Sequence, residues 1–141
     1  MAKAGDDYIK GALIENTFTS IDEMSTVVFP FLKWIGPIKS LMLKLKWESI
    51  NEIQHVSTPL FFIGGELDVL VPAHMTDRLE SAATKSKYKE KWIVPQGQHN
   101  TTFMVAGPQY FYRIMNFFRK CRGLDPAAQS SINMEPLNFM N

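Results

Sequence analysis

The chain has 141 residues, a length that fits one domain with a packed core. Fifteen basic against fourteen acidic residues, a net charge of +1, exclude the electrostatic footprint of a nucleic-acid binder. Hydrophobic residues make up 45%, and the single cysteine, Cys121, excludes an internal disulfide and suits a reducing compartment.

Residues 1–10 read as a polar lead-in. The opening Met1-Ala2-Lys3-Ala4-Gly5-Asp6-Asp7 has no signal-peptide apolar core. Charges and prolines interrupt the longest apolar stretches, so no segment reads as a spanning helix. Ala12 to Asn16 predicts a short buried strand. Residues 17–50 lack strand alternation. Ser20, three residues before Glu23, has the form of a helix cap. From Ile38 to Trp47, the apolar residues Ile38, Leu41, Met42 and Leu45 recur at helical spacing, with Lys39, Lys44 and Lys46 elsewhere on the wheel. A cap helix packed on the core accounts for this aromatic and Met-rich stretch. The alternative is an acyl-chain or membrane-facing lid with its lysines toward anionic headgroups.

Pro59 opens a second strand, residues 60–63, which breaks at Gly64-Gly65 and delivers Glu66 and Asp68. Pro72 suits the first turn of a helix over Ala73–Ala82. Lys85 to Glu90 reads as a charged surface turn. Lys91–Val94 predicts a third strand, and the turn Gln96-Gly97-Gln98 then delivers His99. Pro108 starts a last helix over 109–120, with a broad apolar face of Tyr110, Phe111, Ile114, Met115, Phe117 and Phe118, and Gly123 stops it. Residues 124–141 are rich in Pro, Gln, Ser and Asn without periodicity and read as a mobile tail. Strands alternating with helices argue a parallel sheet with helices on its faces. Three strands cover two helical layers poorly, and the first would keep an unpaired edge.

His99, projecting from the carboxyl end of a sheet, can accept a proton and return it to a leaving group. Placement alone fits a loop histidine capping the backbone equally well. A carboxylate at Asp68 can hold an imidazole in one tautomer, although Asp and Gly are also ordinary turn residues. Glu66 is a rival acid two positions earlier. His55 and His74 share no ligand spacing with His99 and no cysteine cluster supports them, so neither a metal nor a cofactor is expected. Ser20 and Ser25 are the serines nearest a strand end. Their neighbours Thr19, Ile21, Met24 and Thr26 would crowd the strained turn of a nucleophile elbow.

The segments Leu13-Ile14-Glu15-Asn16-Thr17-Phe18-Thr19-Ser20-Ile21, Thr58 through Pro72 with Gly64-Gly65-Glu66-Leu67-Asp68 at its centre, and Gly97-Gln98-His99-Asn100 come in one order and spacing. Together they resemble the carboxyl half of α/β-hydrolases of the bud-emergence type, serine hydrolases often held at membranes by an upstream anchor. The resemblance spans about residues 10–120. It implies the carboxyl-terminal part of a three-layer α/β-hydrolase over residues 1–123, with 17–50 as a cap-like insertion, and a disordered tail over 124–141. It implies that Asp68, ahead of the Val69-Leu70-Val71-Pro72 run, matches the acid of a catalytic triad and His99 its base. The bond cleaved would be an ester, a thioester such as a protein-palmitoyl linkage, or an amide, in a small-molecule or acyl-protein substrate. Location would be cytoplasmic, or at a membrane through an upstream anchor with peripheral contact. The Gly-x-Ser-x-Gly elbow of that family does not occur in these residues, so the chain alone is expected to be inactive. The alternative is a non-catalytic module that self-associates, or pairs its exposed strand with a partner polypeptide.

Overall fold

A computed structural model describes residues 9–28 and 47–123. The helix expected from Ile38, the centre of the cap-like stretch and the tail over 124–141 lie outside the described residues, Trp47 excepted. Three strands, β1 (Ala12–Glu15), β2 (Leu60–Gly65) and β3 (Lys89–Val94), form a parallel sheet in the order β1-β2-β3. Ala12 lies opposite Leu60, and Leu60 opposite Lys89. The described helices, in chain order, are α1 (Ile21–Val28), the single turn α2 (Ser49–Glu52), α3 (Ala73–Ala82), α4 (Thr102–Ala106) and α5 (Pro108–Cys121). A 3-10 turn, Ile53–His55, follows α2.

All six residues of β2 are buried, as the run Leu-Phe-Phe-Ile-Gly-Gly leads one to expect of a central parallel strand. Its alternation assigns the two helical layers. Phe61 and Ile63 meet Trp92, Val94, Tyr110 and Phe117, so α5 covers one face. Leu60 and Phe62 meet Ile53, Leu79 and Ala83, so α3 and the turn after α2 cover the other. The result is three layers with β2 at the centre. Burial of an aromatic or aliphatic side chain of this size contributes about 1.5–3 kcal/mol.

The structure departs from the sequence expectations in four places. β1 is half-buried rather than buried, because among the described residues only β2 pairs with it. β3 begins at Lys89 rather than Lys91. The charges of Lys89 and Glu90, read as a surface turn, are satisfied at the sheet end by Glu80 at 3.3 Å and Lys120 at 2.8 Å. Helix α4 was not anticipated, since five residues are too few to show a period. The apolar face of α5 is narrower than expected: Tyr110 and Phe117 are buried, whereas Phe111 and Met115 are exposed.

Helix α1 starts as the sequence indicates, the Glu23 N–H donating to Ser20 Oγ at 3.1 Å. The Glu23 carboxylate does not reach back to complete a capping box. It accepts from Thr19 Oγ1 and lies 2.5 Å from Arg78 Nη1 and 3.5 Å from His74 Nε2 on α3. Burial works against its charge, but hydrogen bonds from Thr19, Arg78 and His74 outweigh burial and hold its carboxyl below the usual range.

Two outcomes are expected. A depressed carboxyl pKa stabilises the fold above the ordinary carboxylate range and loses that contribution as pH falls through the lowered value. Glu23→Gln should therefore flatten the acid limb of a melting-temperature profile while costing under about 1 kcal/mol at neutral pH, because the ion pair is partly exposed. An acid limb unchanged by the substitution would contradict this. Separately, the edge of β1, unpaired among the described residues, and the exposed Phe111, Tyr112 and Met115 of α5 should drive self-association at high micromolar concentration in sedimentation velocity. A monodisperse monomer with a cooperative melt would contradict that expectation.

Candidate active site

Because β2 and β3 are parallel neighbours, the loops that leave them emerge at one end of the sheet, with Gly65 opposite Val94 in the register. The two loops are stitched together. Glu66 N–H donates to the Val94 carbonyl (3.0 Å), Leu67 N–H to the Gly97 carbonyl (2.8 Å), and Gln96 N–H to Glu66 Oε2 (3.0 Å). A Cβ at residue 65 would lie 2.5 Å from the Gly97 carbonyl oxygen, a backbone atom with nowhere to go. Glycine is required there because the two turns touch.

This contact carries Asp68 and His99 toward each other. The Asp68 side chain is fully buried, and its Oδ1 accepts from Leu70 N–H (2.9 Å) and Val71 N–H (2.8 Å) in an Asx turn. Oδ2 lies 2.8 Å from His99 Nδ1. The imidazole is 33% exposed. A buried carboxylate on Nδ1 selects the tautomer protonated there, which leaves Nε2 with its lone pair. Among the described residues, the hydrogen bond shown for the ring is the one at Nδ1. The pair is thus arranged to let Nε2 take a proton and to stabilise the resulting imidazolium.

The other sequence candidates fall elsewhere. Glu66, the rival acid, uses its carboxylate on the Gln96 backbone. His74 lies in the first turn of α3 and faces Glu23, and His55 closes the 3-10 turn. Among the described residues no three His, Cys, Asp or Glu side chains gather as metal ligands would. Ser20 caps α1, and Ser25, buried inside that helix, donates to the Asp22 carbonyl at 2.8 Å.

Two residues missed in the sequence touch the base's turn. Asn16 Nδ2 donates to the His99 carbonyl (2.6 Å), and Glu15 accepts from Thr102 and from Tyr110 Oη (2.6 Å). Burial, together with the hydrogen bond to Glu15, pushes the Tyr110 phenol pKa up, so it remains a donor. The signal available beforehand was an Asn at a strand end, where its tolerance of left-handed backbone suits a sharp exit.

No family model matches the sequence. Over 129 residues the chain is 33% identical to WAV2, an α/β hydrolase domain-containing protein of Arabidopsis thaliana, which covers 85% of this chain and 42% of that protein. It is 35% identical over 112 residues to bem46 of Schizosaccharomyces pombe, covering 79% of this chain and 36% of that protein. An esterase of Pyrococcus furiosus superposes with a TM-score of 0.55 over 80% of this chain and 45% of that one, at 17% identity. The chain belongs to the α/β-hydrolase superfamily. An uncharacterized membrane protein of Saccharomyces cerevisiae is also similar, 32% identical over 104 residues, 72% of this chain and 34% of that protein. The chain spans roughly two-fifths or less of the length of these curated relatives, 42%, 36% and 34% in turn. The similarity and the parallel sheet with helices on both faces are consistent with the carboxyl-terminal part of the hydrolase fold. Among the described residues no helix of this hydrolase part is long and apolar enough to cross a membrane.

Gly65→Ala should cost about 1–3 kcal/mol through overpacking against the Gly97 backbone. It should also increase the local mobility of His99 and Asn100. A thermal melt combined with amide hydrogen exchange reads both effects, and a wild-type melting temperature would show that the turns are not in contact.

Proposed function

We propose that this chain is the acid- and base-bearing part of a serine hydrolase, with Asp68 orienting His99 and His99 acting as the general base. The observation that carries the reading is the 2.8 Å approach of the buried Asp68 carboxylate to His99 Nδ1 at the exit of two adjacent parallel strands. Membership of the α/β-hydrolase superfamily supports it, since strand–turn–acid followed by strand–turn–His is the order in which that fold presents its triad partners. The nucleophilic serine comes from outside these residues, which hold no Gly-x-Ser-x-Gly. In the reaction, His99 Nε2 removes the serine proton during attack on an acyl carbon. It then returns that proton to the leaving alcohol, thiol or amine. A second base cycle with water releases the acid. The substrate class we assign is an ester, a thioester such as a palmitoylated protein, or an amide. Similarity to a yeast relative named as a membrane protein supports membrane association, and the alternative is the cytoplasm.

The test has two arms. The chain alone should take no label from a fluorophosphonate probe and turn over no p-nitrophenyl ester, for lack of a nucleophile. In a full-length parent, His99→Ala should lower kcat by at least about a thousandfold, whereas Glu66→Ala should leave most of it. Retained activity in His99→Ala would overturn the reading. Loss in Glu66→Ala with retention in Asp68→Asn would reassign the acid. A parent that neither labels nor turns over would favour a partner-binding module that uses the open edge of β1.

A further inference from the structure

The acid and the base sit on β2 and β3, but a residue of β1's exit joins them. Asn16 follows β1 directly, with φ of 42° in the left-handed region. Its N–H donates to the Ile63 carbonyl at 3.0 Å, which fixes its backbone against β2. Its side-chain amide then divides. Oδ1 accepts from Gly65 N–H at 3.2 Å, at the root of the acid's turn. Nδ2 donates to the His99 carbonyl at 2.6 Å, on the base residue itself. One planar amide therefore bridges the two turns.

His99 needs such a tether. The cross-loop hydrogen bonds hold its turn as far as Gly97; beyond that, Thr101 N–H to the Gln98 carbonyl (3.2 Å) and Gln98 N–H to Thr101 Oγ1 (3.1 Å) are local contacts. Asp68 holds the ring at Nδ1, the nitrogen bonded to Cγ. A ring held at one nitrogen can still shift with its backbone, and a displacement of a fraction of an ångström weakens so directional a bond. Fixing the carbonyl one bond from His99 Cα removes that freedom. Glu15 holds the segment after it, each carboxylate oxygen taking one hydroxyl, from Thr102 (2% exposed) and from Tyr110 (8% exposed).

We propose that Asn16 is a positioning residue for the base: its amide locks the His99 backbone to the root of the Asp68 turn and so keeps Nδ1 on the carboxylate. The catalytic meaning of this rests on the acid–base reading above. The chemistry of the bridge is specific to an amide. It needs one donor and one acceptor on a short side chain, and a carboxylate there supplies acceptors alone and would face the His99 carbonyl with like polarity.

The test uses nitrogen-15-labelled chain. Ring nitrogen shifts of His99, read at a pH where the ring is neutral, report its tautomer. Wild type should be the Nδ1-protonated form. Asn16→Asp keeps an acceptor for Gly65 N–H and loses the donor to His99. Asn16→Gly relieves the backbone and removes both bonds. Both variants should shift His99 to a mixture dominated by the Nε2-protonated tautomer, with the Trp92 indole signal of the core unmoved. Retention of the wild-type tautomer in either folded variant would overturn the proposal. A wild-type ring that is not Nδ1-protonated would instead sink the acid–base reading, so the two failures are distinguishable. If the variants do not fold, the side-chain amide of Asn16 in wild type decides. Slow exchange supports the bridge, and exchange at the rate of a solvent-exposed amide overturns it.

Discussion

Residue 65 has no room for a side chain, and much at the carboxyl end of the sheet depends on that. β2 and β3 are neighbours, but parallel pairing alone would let their exit loops splay. Contact between Gly65 and the Gly97 carbonyl, with a Cβ at 2.5 Å excluded, closes that option. The cross-loop hydrogen bonds of Glu66 and Leu67 follow from this closeness, and so does the short reach from Asp68 to His99. The buried Asp68 carboxylate is tolerated because backbone N–H groups and an imidazole satisfy it.

The parts legible in the sequence were those with a strong local signal. Phe61, Phe62 and Ile63 between Pro59 and Gly64 could hardly be anything but a central strand, and Pro72 placed the start of α3 correctly. Strand and glycine turn left Asp68 level with Glu66 and gave His99 a loop role as readily as a chemical one; the family resemblance singled out the two residues that lie 2.8 Å apart. The sequence concealed what depends on tertiary contact. Lys89 and Glu90 looked like a solvated turn because their ionic partners, Glu80 and Lys120, are distant in sequence. Phe111 and Met115 looked like core because helical spacing marks a face and says nothing of how wide a neighbour covers it. Asn16 signalled only a sharp exit from β1: a bridge spanning 83 residues to His99 is invisible until β1 lies beside β2.

The half-burial of β1 bears on how far the chain is a folding unit. Its side chains alternate between the two cores, Leu13 toward α5 and Ile14 toward α3, yet each is covered on one flank only among the described residues. A chain that spans about two-fifths of its relatives' length holds, among the described residues, a three-stranded sheet centred on β2 and the Asp68–His99 pair at its carboxyl end. Helix α1 is fastened to α3 through Glu23, Arg78 and His74.

The Asx turn at Asp68 has one more consequence. Oδ1 must be an acceptor, because two backbone N–H groups point at it. That fixes the polarity of the whole chain of hydrogen bonds: acceptor at Oδ1, acceptor at Oδ2, donor at Nδ1, lone pair at Nε2. An amide of identical shape at this position could keep its oxygen on the backbone only by turning its NH2 toward the imidazole. The ring would then have to accept at Nδ1 and carry its proton on Nε2. Shape would be preserved and direction reversed, so the backbone N–H groups of residues 70 and 71 dictate which ring nitrogen of His99 carries the proton.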